Sequence, residues 1–421
     1  MGKKILKNMD WGILVCIVIL LAIGLVALFS ATQGTEYEEF KKQIMWLAIS
    51  IPIMIILTFV DYNTISKISP ILYVLMIISL IAVMFTKSVN GATSWFTIGS
   101  VSIQPAEFAK IIAIISLSTY VAKIQEKGKD QISRPTRLLL ALVIVAVPVL
   151  LIVKQPDYGT AITFIIATIF ILFVAGIKKR YIITGILLVV ILLPVLYIFV
   201  LPEHAKTRID VFLNPNLDPR GAGYNVIQSK LAIGAGEFLG MGILKGNQTQ
   251  LGFLYPKTTD FIFAVIGEEM GFIIAATVII TYVVLITRSI FIAKTAKNNL
   301  GSYIAIGIAG IFLFHMAENI GMTMGLLPIT GVPLPFVSYG GSSLISTLIM
   351  FAIIQGLYIL REDEEEDIER RKKERLRAKR SRQESAAGYG EAVYDPQRAK
   401  RSQKARKEAA QGKARKKQRV R

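Results

Sequence analysis

Residues 257–271, KTTDFIFAVIGEEMG, decide how the chain is read, because a long polar, Gly-rich segment ends there and a strongly apolar one begins. Asp260 stands on the seam, after Thr258 and Thr259 and before Phe261, Ile262 and Phe263. If the following run crosses a membrane, the Asp260 carboxylate lies at the water–lipid boundary. A charge costs little there, yet it is held on the end of a rigid helix. Glu268 and Glu269 interrupt the apolar run further in. Ionisable residues inside membrane segments mark function by default. The plainer reading of Asp260 is a helix N-cap, its oxygens accepting from free N–H groups. Both readings stand at this point.

Outward from the seam the chain is mostly apolar. Its 421 residues are 53% hydrophobic with a mean hydropathy of +0.55, in long runs rather than alternation. This excludes an ordinary soluble domain. The first run, from Trp11 to Phe29, is long enough to span and shows no decisive cleavage pattern, so it reads as a membrane segment rather than a leader. Cys16 is the only cysteine, and His204 and His315 are the only histidines. Neither a disulfide framework nor a multi-histidine metal site is expected. Net charge is +19, and residues 361–421 hold 22 Lys/Arg against 12 Asp/Glu. That describes a membrane protein with a basic tail, not a nucleic-acid-binding domain.

Spanning takes roughly 17–25 apolar residues. About ten segments qualify, near 11–29, 43–60, 70–86, 106–122, 138–153, 160–177, 181–200, 261–287, 302–325 and 341–360. They are continuous runs, hence helices rather than barrel strands. The expected fold is an all-α polytopic membrane protein of about ten transmembrane helices. Its membrane domain covers 1–360, with a long extracellular loop at 201–260 between the seventh and eighth helices. A charged, largely disordered cytoplasmic tail covers 361–421. With ten crossings, Lys3, Lys4 and Lys7, the basic loops at 123–137, 178–180 and 288–297, and the tail all fall on one side. The Lys/Arg rule makes that side the cytoplasm and puts both termini there. The long loop is rich in Gly, Asn and Pro with a partly apolar middle, so short interfacial helices are expected within it. The tail opens with an acidic run at 362–367. Beyond 382 it is almost without apolar residues and reads as disordered, either drawn to anionic lipid or simply solvated.

Four segments bring polar groups to one membrane depth on the opposite face. Glu107 and Lys110 are i,i+3 neighbours after Pro105, which suits a helix start. They make either an ordinary ion pair or a cation for an anionic substrate group, oriented by the carboxylate. Asp157, in QPDYGT, is a plain cap or a substrate contact. The long loop contributes Lys206, Arg208, Asp210, Arg220 and Tyr224. Residues 325–343, GLLPITGVPLPFVSYGGSS, break the helix at membrane depth, which is tolerated only where backbone is buried in protein or lines a cavity. A tight turn between two helices is the plainer account.

Five stretches together resemble the SEDS family (shape, elongation, division and sporulation), the RodA/FtsW group of bacterial cell-wall polymerases. They are QPAEFAK, QPDYGT, FLNPNLDPRGAGYNVIQSKLAIGAGEFLGMG, TTDFIFAVIGEEMG and NIGMTMGLLPITGVPLPFVSYGGSS. The resemblance covers residues 10–360. The opening MDWGIL and the run GNQTQLGFL look more like RodA, the elongation member, than FtsW, the division member. The resemblance implies a multi-pass peptidoglycan glycosyltransferase of the bacterial plasma membrane, polymerising lipid II on the outer face for elongation and rod shape. A division-type polymerase is the alternative within the family. It further implies that Asp260 is catalytic and that Glu107, Lys110, Asp157 and Arg208 bind substrate. Ser338, Tyr339, Gly340, Gly341, Ser342 and Ser343, the SYGGSS motif, join them. Implied partners are lipid II, undecaprenyl-linked nascent glycan, the bilayer, a class B penicillin-binding transpeptidase and other elongation or division machinery, but no nucleic acid. Two departures stand out. Many relatives carry Pro-Glu and then His-Thr before the aspartate, where this chain has Tyr255-Pro256-Lys257-Thr258-Thr259, and Gly236-Glu237 replaces a common Gly-Gly.

The chemistry fits these residues on its own terms. Lipid II carries a lipid diphosphate at one sugar's anomeric carbon and a free hydroxyl on another sugar. Extension needs a base for the hydroxyl, and Asp260 suits that role. It needs cations for the departing diphosphate, and Lys110 and Arg208 suit that one. A divalent ion, Mg²⁺ or Mn²⁺, held by Asp260 or Asp157 would help. No organic cofactor is expected, and no P-loop pattern is present. Two rivals remain. A lipid-linked sugar flippase or transporter would also show intramembrane acids such as Glu268, Glu269 and Glu318 with broken helices. A scaffold would recruit wall-building partners without chemistry.

Overall fold

The computed structural model describes residues 9–87, 93–99, 101–199, 202–219, 221–361, 373, 376 and 396–418. The N-terminal lysines, Arg220, the acidic run at 362–367 and Arg382 lie outside them. All ten apolar runs form helices. They are α1 (Trp11–Ala31), α2 (Glu38–Thr58), α3 (Tyr62–Val83), α4 (Pro105–Gln125), α5 (Pro135–Lys154), α6 (Tyr158–Val174) and α7 (Lys179–Phe199). After the long loop come α11 (Ile262–Thr295), α12 (Asn299–Thr323) and α13 (Gly341–Arg361). Eight of the ten are long and apolar enough to cross a membrane. The other two are α6, apolar but 17 residues long, and α4, whose first turns carry Glu107 and Lys110. The protein is a polytopic α-helical membrane protein. One two-stranded hairpin, β1 (Phe96–Ile98) with β2 (Val101–Ile103), precedes α4.

The expectation of short helices inside the long loop holds. Residues 202–260 form α8 (Glu203–Leu213), α9 (Ala222–Ala235) and the single turn α10 (Asn247–Gln250). The bundle is built around α12, which packs on α4, α6, α9 and α11. Large apolar side chains on α2, α3, α5 and α7 stay exposed, as lipid-facing positions require. At the bundle's other end, Arg288 of α11 donates twice to Asp10 Oδ1, at 2.8 and 3.2 Å, and Gln355 of α13 bonds the Asp10 backbone. A buried acid thus joins α1, α11 and α13.

One break is not expected from the apolar pattern. α11 is interrupted at Gly271, where φ is 75° and ψ is −176°. The freed backbone groups pair with the loop after α9. Met241 and Gly242 donate to the carbonyls of Glu268 and Glu269, at 2.9 and 3.0 Å, and Phe272 and Ile273 donate to those of Glu237 and Phe238, at 2.8 and 3.3 Å. Main chain approaches main chain so closely that a Cβ on Gly240 would collide with the Glu269 carbonyl. Glu237 adopts φ 45°, a left-handed conformation that favours glycine.

Residues 362–421 form a separate unit. Here the disordered-tail expectation is corrected, because Pro396–Gln418 is a helix, α14. It is rich in Ala, Lys, Arg and Gln, which are strong helix formers. Its described side chains are exposed, so propensity alone accounts for it.

Candidate active site

Helix starts α4, α6, α11 and α13 meet the end of α12 at one end of the bundle, and hydrogen bonds join them there. Asp260 sits at the centre. It does not cap α11, whose N-cap is Phe261 with no side-chain cap bond. The capping account of Asp260 is therefore not realised. Its backbone carbonyl accepts from Asn319 Nδ2 of α12 at 3.1 Å, and the same amide donates to Val332 O at 2.9 Å. The chain before it is pinned to the SYGGSS motif. Ser338 Oγ donates to Thr259 O at 2.7 Å, and Tyr339 N donates to Thr258 O at 2.9 Å. The carboxylate is partly buried and faces Gly331, where a Cβ would lie 3.4 Å from Oδ2. Burial pushes the Asp260 carboxyl above its ordinary value, while a Thr259 hydrogen bond and the charge of Arg208 pull it back.

Lys110 is placed differently from the substrate-facing expectation. It is 2% exposed. Its ammonium contacts both Glu107 oxygens at 3.0 Å and lies 3.4 Å from His315 Nε2. His315 Nδ1 is 3.0 Å from Pro333 O, which fixes the ring with Nδ1–H donating and Nε2 accepting from Lys110. Ser346 of α13 donates to Glu107 Oε2 at 2.9 Å. The pair is thus an ion pair within α4, sealed by α12 and α13. His315 and Asn319 are i,i+4 on α12, so this network lies one turn along the helix from the Asp260 contact. Lys110 and Glu107 support the site from beneath, and the plain ion-pair account describes their geometry.

Asp157 does cap α6. Its Oδ1 accepts from Thr160 N at 3.1 Å, and Oδ2 accepts from Gln104 Nε2 at 2.7 Å. Gln104 N in turn donates to Ser342 Oγ at 3.0 Å, tying the starts of α4, α6 and α13 together. Burial raises the Asp157 carboxyl, with the bonds to Thr160 opposing. Ser338 and Ser342 are buried, and Gln43 of α2 bonds Ser338 O and Gly340 N, both at 3.2 Å. Gly341 packs directly under Trp46. Ser343 O accepts from Thr347 Oγ1 at 2.5 Å. Tyr339 is partly buried, and burial raises its phenol. The SYGGSS residues therefore act mainly as a clamp on the Asp260 segment.

Arg208 of α8 reaches the same loop. Its Nη1 donates to Ile329 O at 3.4 Å, two residues before Gly331. Four contributors escaped the sequence reading: Asn319, Gln104, His315 and Thr330. Thr330 Oγ1 donates at 2.7 Å to the buried Glu318. Polar residues within a spanning run were the available signal for Glu318 and Asn319. Glu268 and Glu269 serve the loop. Glu268 accepts from Gln248 N, Thr249 N and Thr249 Oγ1 at 2.7, 3.0 and 2.7 Å, and Glu269 accepts from Gln250 Nε2 at 2.8 Å. Acids that a transporter would use are spent here on anchoring α10.

No group of three or more metal-ligating side chains occurs among the described residues. Asp157 suits a metal poorly, since both oxygens already accept hydrogen bonds. Asp260 keeps a freer carboxylate and fits the one-carboxylate-plus-phosphate manner of Mg²⁺.

The family model for FtsW, RodA and SpoVE, described as a cell cycle protein, matches residues 10–362. The chain belongs to the FtsW/RodA/SpoVE family. Relatives within the family include the peptidoglycan glycosyltransferase MrdB of Escherichia coli K12, 35% identical over 354 residues that span 83% of this chain and 94% of that one. Stage V sporulation protein E of Bacillus subtilis is 36% identical over 356 residues, spanning 82% and 94%. Among solved structures, a chain of a peptidoglycan synthase complex that coordinates polymerization and crosslinking is 26% identical with a TM-score of 0.73, covering 84% of this chain and 98% of that one. The Thermus thermophilus rod shape determining protein RodA shares the fold with a TM-score of 0.63 at 24% identity, covering 84% and 97%.

Proposed function

We propose that this FtsW/RodA/SpoVE protein is a peptidoglycan glycosyltransferase that polymerises lipid II on the outer face of the plasma membrane. In this reading Asp260 removes the proton from an acceptor-sugar hydroxyl. The oxygen attacks the anomeric carbon of the second molecule, the bond to the diphosphate breaks, and the lipid diphosphate leaves beside Arg208. The observation that carries the reading is the Asp260 carboxylate itself. It is partly buried, unused as a helix cap and near a cation, and the main chain that carries it is held by the side chains of Asn319 of α12 and Ser338 of the SYGGSS segment. A divalent cation, Mg²⁺ or Mn²⁺, held by Asp260 and the substrate diphosphate would add positive charge where the leaving group departs.

Further parts of the proposal follow from the relatives. Service in elongation is favoured by MrdB and by the RodA of Treponema pallidum, 30% identical. An FtsW of Trichlorobacter lovleyi at 34% keeps the division role as the alternative. The likeness to a chain of a synthase complex supports a crosslinking transpeptidase of the class B penicillin-binding type as partner. Both termini are assigned to the cytoplasm on the Lys/Arg asymmetry. The test is glycan polymer made from lipid II by purified Asp260→Asn, with thermal unfolding in parallel. Asn keeps the size and loses the basicity, so a folded variant slowed about 100-fold or more is expected. Near-normal polymer from that variant sinks the assignment.

A further inference from the structure

A second cation lies beside Arg208. Arg208 of α8 and Lys230 of α9 line one pocket with Val211, Phe212, Val226 and Leu327. Lys230 lies across Gly325, at φ 70°, on ground that any Cβ would fill. Among the described residues no acid pairs with Lys230. The acids of α8 are engaged elsewhere, Glu203 with Lys206 at 3.1 Å and Asp210 with Tyr197 at 2.5 Å. Among the described residues Arg208 forms no close ion pair; it donates one long bond to Ile329 O, and its charge is felt at Asp260. Two cations at a mouth with apolar walls match one ligand chemistry, an anionic headgroup joined to a hydrocarbon chain. Through Ile329 the pocket also adjoins the segment after α12 that faces Asp260 at Gly331. The Asp260 charge opposes an anion there, which makes a second cation useful.

We infer that Arg208 and Lys230 form a cradle for a prenyl diphosphate, with the first part of the chain lying on Phe212, Val226 and Leu327. This rests on the proposed reading in taking a lipid-linked diphosphate as substrate and leaving group. Two phosphate oxygens on separate phosphorus atoms would each meet one cation, which a monoanionic phospholipid cannot match. Lys230 thereby becomes a binding residue for the diphosphate end.

The experiment measures binding of undecaprenyl diphosphate to the full chain in detergent, with phosphatidylglycerol and inorganic diphosphate as separate arms. Lys230→Gln should weaken undecaprenyl diphosphate about tenfold or more, the loss of one charge-assisted hydrogen bond. Lys230→Arg should keep most of the affinity, and Phe212→Ala should weaken the lipid without affecting inorganic diphosphate. As a check independent of any variant, undecaprenyl diphosphate should protect Lys230 of the wild-type protein from amine acylation. Lys230→Gln binding within twofold of wild type overturns the inference, as does unprotected Lys230. Equal losses for phosphatidylglycerol would mean a general anionic-lipid surface and also overturn it. Inorganic diphosphate bound as tightly as the lipid would remove the role of the apolar wall. In buffer free of divalent cations Asp260→Asn should keep or strengthen this binding, so failure of the pocket and failure of the catalytic assignment are separate results.

Discussion

Replacing Lys110 by Met separates support from substrate contact. The ammonium is 2% exposed and sits among Glu107, His315 and, through Glu107, Ser346. Met keeps most of the volume and removes the charge. Glu107 then stays buried with only the Ser346 hydroxyl. An uncompensated buried charge costs about 3–5 kcal/mol. Glu107→Gln alone strands the Lys110 charge against a neutral imidazole and should cost a similar amount. The double variant removes both charges and should recover roughly 1–3 kcal/mol relative to the sum of the singles, the coupling expected of groups in contact. The assay is thermal inactivation of purified protein in detergent, with lipid II polymerisation on the same samples. Activity and stability should fall together in each single variant and recover together in the double. A Lys110→Met protein with wild-type thermal stability but polymer reduced by about 100-fold would refute the supporting role. The ammonium would then be meeting transition-state charge directly.

Three further outcomes are expected. Burial pushes the Asp260 carboxyl up, so its basic form is lost on acidification at a higher pH than for an ordinary aspartate. The acid limb of kcat/KM for lipid II should lie above about 4, and a limb at or below that value would count against a buried base. Glu237 is exposed at φ 45°, so Glu237→Gly should raise thermal stability by about 0.5–1 kcal/mol, and a loss would mean that the carboxylate has a partner of its own. With the buried Cys16 replaced, a cysteine at the 70% exposed Tyr255 should react with an impermeant label on intact cells, whereas one at Lys179 should not; reaction at 179 overturns the proposed topology.

The ten helices were legible because each is a continuous apolar run that must hide its backbone polar groups. The Gly271 break was not. A glycine within an apolar helix is ordinary, and the pairing that makes this one a break is supplied from 237–242. The same distance effect governs the site. Asp260 could be found from its place on a polarity seam. The setting of Lys110 could not, because His315 and Ser346 arrive from helices about two hundred residues later. Spacing shows that Glu107 and Lys110 can meet, and only the covering helices decide whether water reaches them. Thr330 and Asn319 were missed for a related reason. Their partners, Glu318 and the Asp260 carbonyl, are set by how the 329–333 loop folds back over α12.

The backbone pairing across Gly271 also limits what lengths the chain tolerates. The bonds from 241 and 242 to 268 and 269, and from 272 and 273 to 237 and 238, form a register as strict as that of a hairpin. One residue inserted between Gly236 and Gly242 would slip it. Several main-chain groups at the helix break would then lose their partners in a setting where each costs several kcal/mol. Insertions and deletions among relatives should therefore avoid this stretch even where side chains vary freely. During synthesis, the loop has to be folded back before the second half of α11 can face lipid with its hydrogen bonds complete.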